Sequence, residues 1–390
     1  MIALIRPARK AAARLAALFA IAWLAACEPI GTAGLGGGPT IDTNAPVRVA
    51  LLVPNGSGQS TDAFLARSLE NGARLAIGDL NDAQIDLRVY NTAGRAGPAA
   101  NAAQRAVADG AQIILGPLYA EAANAAGVAV AGNNVNVLAF SNNAAIAGGN
   151  VFILGPTFDN TADRLTQYGR RQGVNRYVIA HADTVPGATG RNAITAAVRS
   201  NGGTVVGVES YPLSQNGIVN AGPRIANTVQ TTGAQAVFTT AVPGDELSVL
   251  ATGVKERVPP AQLVGLTRWN SEAAFLTLPA LQGGLFAIPD QSLQSRFEAR
   301  YRAAYGEPAH PVAGLAYDGI AAIGALVSSG NRQALSASAL TQRSGFRGTG
   351  GIFRLLRDGT NERALAVATI RNNRVVILDP APTTFGRAGF

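Results

Sequence analysis

Residues 110–115 have the sequence Gly-Ala-Gln-Ile-Ile-Leu, and residues 233–238 repeat the pattern as Gly-Ala-Gln-Ala-Val-Phe. In both segments a helix-period stretch stops at the glycine and a short apolar run follows, which is typical of a helix that leads into a buried strand. The recurrence of this pattern predicts two similar lobes, the first over residues 46–156 and the second over residues 157–285.

Other short apolar runs alternate with helix-period segments along the chain. Continuous apolar runs are expected of parallel strands that are buried on both faces, and their alternation with helices predicts an α/β fold of two Rossmann-like lobes. Residues 85–89 instead alternate apolar and polar side chains, which predicts a strand nearer the edge of a sheet. Residues 366–378, with Asn372-Asn373 at the turn, predict a hairpin near the carboxyl end. The apolar runs are 49–53, 113–115, 137–140, 177–180, 205–208, 236–238, 263–266 and 285–288.

The composition argues against a nucleic-acid-binding protein. The 390 residues carry a formal charge of +8, but Arg6, Arg9, Lys10 and Arg14 lie in the first 26 residues, which contain no acidic group. The remaining 28 basic groups are nearly balanced by 24 acidic groups, and no basic run is interleaved with aromatic residues. A surface that follows phosphates would usually show such a run.

The first 26 residues have the pattern of an export signal. Basic residues up to Arg14 precede the uninterrupted apolar run Leu15–Ala26, which is too short to span a bilayer. Residues 27–45 are rich in Gly, Pro and Thr without apolar periodicity, and they predict a flexible tether.

The chain contains one cysteine, Cys27. Leu24-Ala25-Ala26-Cys27 resembles the lipobox of bacterial lipoproteins, which implies that Cys27 is lipidated and becomes the first residue after cleavage. The alternative is a lone buried thiol. The residue after the cysteine is Glu28 rather than the Asp that retains such lipoproteins at the inner membrane. The resemblance therefore implies a periplasmic protein that is anchored by lipid to the outer membrane.

No pattern of catalytic, metal-binding or cofactor-binding residues is present. Gly56-Ser57-Gly58 lacks the third glycine of a dinucleotide fingerprint and the lysine of a phosphate loop. The two histidines, His181 and His310, have no Cys or carboxylate at ligand spacing. We therefore predict a protein that is not an enzyme and has no metal or cofactor. Asp318, in an apolar helix, is predicted to be structural near a helix start or hinge.

Five short motifs follow one another along the chain: Val49–Pro54, Ile114–Pro117, Leu138–Asn142, Ala316–Asp318 and Phe346–Phe353. Their order and spacing resemble type I periplasmic binding proteins of the leucine/isoleucine/valine class, over residues 46–380. Within that class the chain looks most like the penicillin-binding-protein activators, which are lipoproteins that regulate peptidoglycan synthases. The resemblance implies two lobes joined by three crossovers, so that residues 286–330 return to the first lobe and residues 331–390 join the second.

The resemblance also implies a ligand cleft at the carboxyl ends of the strands, where loops and helix N-termini supply N–H groups. Closure of such a cleft is a hinge motion. By their position after the strands, the loop residues expected there are Ser57, Tyr119, Ala120, Ser141, Asn142 and Asn143 in the first lobe and His181, Asp183, Trp269 and Asn270 in the second. Trp269 fits a core position as well as a ligand contact, and His181 either caps its strand or lines the cleft.

The chain departs from the amino-acid binders at four positions of the cleft loops, two of them among the residues just named. Ala120 and Asn143 stand where hydroxyl-bearing residues are common, and Pro186 stands where an aromatic residue is usual. Arg268 aligns near the acidic partner of the ligand ammonium, and burying an unpaired ammonium is costly. A simple amino-acid site is therefore not expected, and the cleft either takes another ligand, such as a peptide or wall fragment, or is vestigial in a protein-binding platform.

Two functions follow from the resemblance. The first is a non-enzymatic lipoprotein that regulates peptidoglycan synthesis by binding a peptidoglycan synthase, that is, a penicillin-binding protein. The alternative is the substrate-binding lipoprotein of an ABC transporter for branched-chain amino acids or a related small ligand, with the transporter permease as its partner. Glu28 and the altered cleft positions favour the first, and the nearly complete two-lobe scaffold favours the second.

Overall fold

A computed structural model describes residues 37–385. The predicted lipidation at Cys27, the predicted signal and the first part of the predicted tether lie outside these residues. In the described part no helix is long and apolar enough to cross a membrane. Groups of three or more potential metal ligands are also absent from it.

The first lobe is built on a parallel five-stranded sheet with the strand order β2-β1-β3-β4-β5. The strand predicted to lie nearer an edge is β2 at the sheet edge, and its side chains are partly exposed. The elements of this segment are β1 (Val47–Val53), α1 (Ser60–Ile77), β2 (Ile85–Asn91), α2 (Ala96–Ala108), β3 (Ile113–Leu115), α3 (Ala120–Val130), β4 (Asn136–Ala139) and β5 (Val151–Ile153), with 3-10 turns at Ala131–Asn133 and Ala144–Ile146.

The second lobe follows with the same alternation of strands and helices. The pattern holds for apolar runs such as Val178–Ala180, which are fully buried between helices on both faces of the sheet. The run 205–208 differs from the prediction, because its strand lies at the edge of the sheet and Val208 is 49% exposed. The elements of the second lobe are α4 (Phe158–Arg171), β6 (Arg176–Ala182), α5 (Val185–Ser200), β7 (Thr204–Tyr211), α6 (Gln215–Thr232), β8 (Ala236–Thr239), α7 (Asp245–Lys255), β9 (Gln262–Gly265), α8 (Ala273–Leu276), a 3-10 turn at Pro279–Leu281 and β10 (Leu285–Ile288).

The chain then returns to the first lobe before a last hairpin joins the second sheet. The hairpin is the predicted one, with Asn372 and Asn373 at positive φ in its turn. It completes a seven-stranded sheet in the order β15-β14-β10-β9-β8-β6-β7, so the predicted α/β fold of two lobes is confirmed. The returning elements are α9 (Gln291–Tyr305), α10 (Ala313–Val327), α11 (Ala337–Leu340), β11 (Phe346–Gly348), β12 (Gly351–Leu355) and β13 (Asn361–Arg363), and the hairpin is β14 (Ala366–Arg371) and β15 (Arg374–Asp379).

The return and the tail differ from the predicted lobe boundaries. Leu285–Ile288 pairs with β9 and β14, so the chain leaves the second lobe after residue 288 rather than at residue 286. The prediction that residues 331–390 join the second lobe is wrong for the part before β14. Strands β11 to β13 form a small separate sheet. Strand β11 packs against α10, and apolar side chains of this region lie in the core of the first lobe. These side chains are Leu335, Leu340, Phe346, Phe353 and Leu355.

Three short passages of chain therefore connect the lobes, at residues 154–157, 289–290 and 364–365. We call these the crossovers. Asn361 begins β13, the strand that leads into the third crossover, and its side-chain amide donates to the carbonyls of Ile153 at 2.8 Å and Gly155 at 2.9 Å. These bonds hold the start of the first crossover next to the strand that precedes the third. Because β10 and β14 are hydrogen-bonded neighbours, the second and third crossovers also lie side by side.

The last part of the predicted tether, residues 37–45, is packed on the first lobe. Ile41 is 1% exposed, and its N–H donates to the carbonyl of Arg332 at 2.9 Å. The Thr40 hydroxyl accepts from the amide of Gln333 at 3.0 Å. The prediction of a flexible tether up to residue 45 is wrong for this part, because one apolar side chain is enough to dock a short segment into a core.

Replacing Ile41 by Ala is expected to lower the free energy of unfolding by about 2 kcal/mol, the lower end of the usual cost for a buried isoleucine. Urea unfolding measures the change, with Thr43→Ala as the matched control because Thr43 is exposed. A loss equal to that of the control would mean that residues 37–45 do not contribute to the folded state.

Candidate functional site

The carboxyl edges of the two main sheets face each other across the crossovers. The first crossover leaves the carboxyl end of β5 and enters α4, which runs back toward the amino end of β6. The loops that follow parallel strands in both lobes therefore border one cleft, as the sequence predicts.

An open pocket lies on the first-lobe side of this cleft, with a volume of about 420 Å³. Its lining comes from the loops after β1, β2 and β3 and from the first turn of α1. We call it the first-lobe pocket, and its residues are Ser57, Gln59, Asp62, Ala93, Gly94, Arg95 and Tyr119.

Asp62 and Tyr119 form the central polar contact of the first-lobe pocket. Asp62 is 7% exposed, and its Oδ1 accepts a hydrogen bond from the Tyr119 hydroxyl at 2.5 Å. Burial, together with this bond to a carboxylate, raises the pKa of Tyr119 to about 12. The phenol therefore stays protonated at neutral pH and donates to Asp62, and its lone pairs remain available to a ligand.

The three first-lobe helices that start at the cleft have no side-chain cap. Gln59, Arg95 and Tyr119 precede α1, α2 and α3, and none of them accepts a hydrogen bond from the first turn. On the second lobe, α4, α5 and α6 are capped by their own residues. The first-lobe edge therefore offers N–H groups that are free to bind a ligand. The capping residues of the second lobe are Thr157, Thr184 and Ser214.

A second, narrower cavity of about 160 Å³ lies among the crossovers. Pro156, Pro289 and Ala364 line it from the three crossovers, and Arg268 reaches it from the loop after β9. We call it the hinge cavity. Arg268 is exposed, and among residues 37–385 no carboxylate pairs with it. Partial desolvation by the surrounding loops lowers the pKa of its guanidinium. The rest of the wall combines apolar side chains with polar ones, among which Asp318 and Arg363 form an ion pair. The apolar residues include Phe297, Val312, Leu315, Ile352 and Leu365, and the polar ones include Gln294, Glu298, His310 and Thr349.

His310 lines the hinge cavity in its neutral form. Its Nδ1 accepts from the N–H of Val312 at 3.3 Å, its ring packs edge-on against Phe64, and burial lowers its pKa below the ordinary value. The unfolded chain therefore binds a proton more readily than the folded protein once the pH falls below about 6.5.

We expect His310 to contribute to stability above about pH 6.5 and this contribution to be lost as the pH falls through its folded pKa. Unfolding by urea at several values between about pH 5 and 8 measures this dependence, and His310→Gln should flatten it. Equal pH dependence in the two proteins would contradict the assignment.

Four of the predicted first-lobe residues do not line the first-lobe pocket. Ala120 begins α3 directly after Tyr119. Ser141 is 2% exposed, and its hydroxyl accepts from the N–H of Asn143 at 3.1 Å. Asn143 caps the 3-10 turn by accepting from Ala145, and Asn142 is exposed. Ser57 and Tyr119 are thus the two predicted residues that the fold brings into one pocket.

The second-lobe residues are distributed differently from the prediction. Trp269 is 0% exposed and packs in the second-lobe core against Phe286, so it does not line the cleft. His181 is 4% exposed within β6, with Nδ1 2.9 Å from the carbonyl of Ala182. Asp183 is exposed just after β6, and Asn270 is partly buried beside Trp269.

Sequence reasoning placed Gln59 in a cleft loop but missed Asp62 and Arg95. Asp62 is the third residue of α1, three positions after the glutamine that precedes the helix. An acidic residue in a first turn normally indicates interaction with the helix dipole, so nothing in the pattern marked it as a pocket residue.

Comparison with known proteins identifies the family. A family model described as periplasmic binding protein matches residues 46–374, which is most of the chain. The chain belongs to the periplasmic binding protein family. This membership bears out the coarse resemblance and implies a periplasmic location, and it does not distinguish the activator branch. No curated protein matches the chain in a sequence comparison.

Solved structures of similar fold agree with this membership. A branched-chain amino acid ABC transporter ligand-binding protein from Burkholderia xenovorans is 15% identical, with a TM-score of 0.66 over 86% of this chain and 96% of that one. An ABC transporter substrate-binding protein from Desulfitobacterium hafniense in complex with Leu is 19% identical, with a TM-score of 0.61 over 86% and 100%. A solute-binding protein from R. palustris in complex with benzoate is 17% identical, with a TM-score of 0.57 over 88% and 99%.

Proposed function

We propose that this periplasmic binding protein is the solute-binding component of an ABC importer and captures a small organic ligand between its lobes. The observation that carries the proposal is the first-lobe pocket, which is open, polar and bordered by uncapped helix N-termini on the cleft between the lobes. The partner would be the importer's permease. The protein itself performs no chemistry in this role.

Amino acids, including branched-chain ones, are the first ligands to test. Structures of the same fold include one bound to Leu and one bound to benzoate, so a small carboxylate-bearing molecule fits this architecture in those proteins. The hinge cavity adds apolar side chains and the exposed guanidinium of Arg268 on the same cleft.

Regulation of a peptidoglycan synthase is the second candidate, and Glu28 is the observation that favours it. The proposed lipid anchor at Cys27 would place such a regulator on the outer membrane. A permease partner instead requires access to the inner membrane. At most about 50 Å of extended chain separates Cys27 from the docked Ile41, so the folded part stays close to the membrane that holds the anchor. Fractionation of the two membranes therefore distinguishes the two candidates.

Thermal unfolding in the presence of free amino acids, short peptides and peptidoglycan fragments tests the proposal. A ligand at 100 times its Kd stabilises the folded state by about 2.7 kcal/mol, which raises the Tm by a few degrees. A shift with an amino acid supports the importer role. A shift with wall fragments alone, or capture of a peptidoglycan synthase without any ligand shift, would overturn it in favour of regulation.

A further inference from the structure

The Asp62 carboxylate is a buried charge without a cation. It is 7% exposed, and within residues 37–385 no Arg, Lys or His lies at ion-pair distance from it. Buried carboxylates are normally paired, because removing an isolated charge from water is unfavourable. The start of α1 stabilises the charge through the helix dipole but does not neutralise it.

One oxygen of this carboxylate remains available to a ligand. Oδ1 accepts from Tyr119, whereas Oδ2 makes no hydrogen bond in the described part of the chain. A Cβ on Gly94 would stand 3.5 Å from Oδ2 and 3.0 Å from Cε2 of the Tyr119 ring. Glycine at position 94, which has a φ of +64°, therefore leaves space beside Oδ2 that a side chain would fill.

The oxygens that line the first-lobe pocket suit a protonated amine. An ammonium group carries three N–H donors and no acceptor. Asp62 Oδ2 supplies a charged acceptor, and the hydroxyl oxygens of Tyr119 and Ser57 supply neutral ones. Ser57 Oγ already accepts from the N–H of Gln59 at 3.2 Å and retains a second lone pair.

We propose that Asp62 is the ammonium acceptor of this protein, so that the ligand is a small primary amine whose amino group binds the first lobe. The inference rests on the proposed function. In the amino-acid binders an acidic residue of the second lobe pairs with the ligand ammonium, and Arg268 aligns near that position. With Asp62 of the first lobe as the partner of the ammonium, the second lobe needs no acidic residue there. Arg95, exposed at the rim of the same pocket, remains for an anionic group of the ligand.

The test compares three matched probes by calorimetry. The best-binding amino acid is taken first, then its analogue without the amino group and its analogue without the carboxyl group. For leucine these are 4-methylpentanoate and 3-methylbutylamine. We expect loss of the amino group to weaken binding about 10- to 100-fold, the usual effect of losing a hydrogen bond to a charged group. Equal affinity for the amino acid and its deamino analogue would overturn the proposal.

Variants assign the effect to Asp62. Asp62→Asn should weaken amino-acid binding by a similar factor while leaving the affinity for the deamino acid nearly unchanged. Tyr119→Phe breaks the same contact but keeps the Asp62 carboxylate, so it should retain the preference for the amine. This second variant keeps the test valid if Asp62→Asn fails to fold. Asp82→Asn, at an exposed turn after α1, is the matched control.

The failures of the two proposals are distinguishable. If none of the amino acids or analogues binds the unaltered protein, both the importer role and the ammonium site are overturned. If an amino acid binds and Asp62→Asn leaves its affinity and amine preference unchanged, the importer role survives and the role of Asp62 is overturned.

Discussion

Replacing Asp318 by Asn is expected to lower the free energy of unfolding by about 3 to 5 kcal/mol, because it leaves a buried guanidinium without its countercharge. Asp318 is 1% exposed, and its Oδ2 lies 3.2 Å from Nη1 of Arg363, whose side chain is 10% exposed. Oδ1 accepts from the N–H of Thr349 at 2.6 Å. Arg363 also donates through Nε to the carbonyl of Leu154 at 2.9 Å and lies over the ring of Phe353.

Urea unfolding at constant m-value measures this loss, and the exposed Asp82→Asn change is again the control. The double variant Asp318→Leu with Arg363→Met should recover much of the stability, since it removes both charges together. A loss below about 1 kcal/mol in Asp318→Asn would show that Arg363 is solvated or paired elsewhere.

Replacing Trp269 by Ala is the second change with a large expected effect, a loss of about 3 to 5 kcal/mol in the free energy of unfolding. The indole fills space between β9 and the Gly283-Gly284 turn, and a Cβ on Gly265 would lie 2.3 Å from its Nε1. Nε1 makes no hydrogen bond in the described structure. Trp269→Phe should therefore cost much less, because it removes an unpaired buried N–H along with part of the ring.

The measurement that separates core from cleft is ligand affinity. Trp269→Phe is expected to leave the Kd for any cleft ligand within about twofold of the unaltered protein, since the ring does not reach the cleft. A tenfold weaker Kd with unchanged stability would restore Trp269 as a ligand contact.

The sequence pattern predicted the elements whose residues are buried on both faces. Ile113–Leu115 and Ala236–Phe238, which end the two copies of the repeated Gly-Ala-Gln pattern, are fully buried strands at equivalent places in their sheets. The Asn372-Asn373 turn was likewise readable, because consecutive residues at positive φ favour asparagine.

The lobe assignment of the tail was less predictable because it depends on contacts distant in sequence. The three-residue strands β11 and β13 are too short for a periodic signal. Phe346 and Phe353 have the same apolar character whichever lobe they cover. Only the packing of α10 against β11 shows that they belong to the first.

The position of the cleft could be predicted from the sequence, but not all the residues that line it. Ser57 and Tyr119 follow strands, so the topology locates them. Asp62 and Trp269 could not be assigned, because a first-turn aspartate and a strand-end tryptophan occur both in structural and in ligand-binding positions. Burial and the identity of the neighbouring atoms decide between these roles, and neither is visible in a single sequence.

The three crossovers are close neighbours, because Asn361 at the end of the first lobe bonds to the first of them and the β10–β14 pairing holds the other two together. Connections gathered in one place favour rotation of the lobes about them over twisting or sliding. If the protein captures a ligand as we propose, ligands of different size would be enclosed by the same rotation, each at its own closing angle.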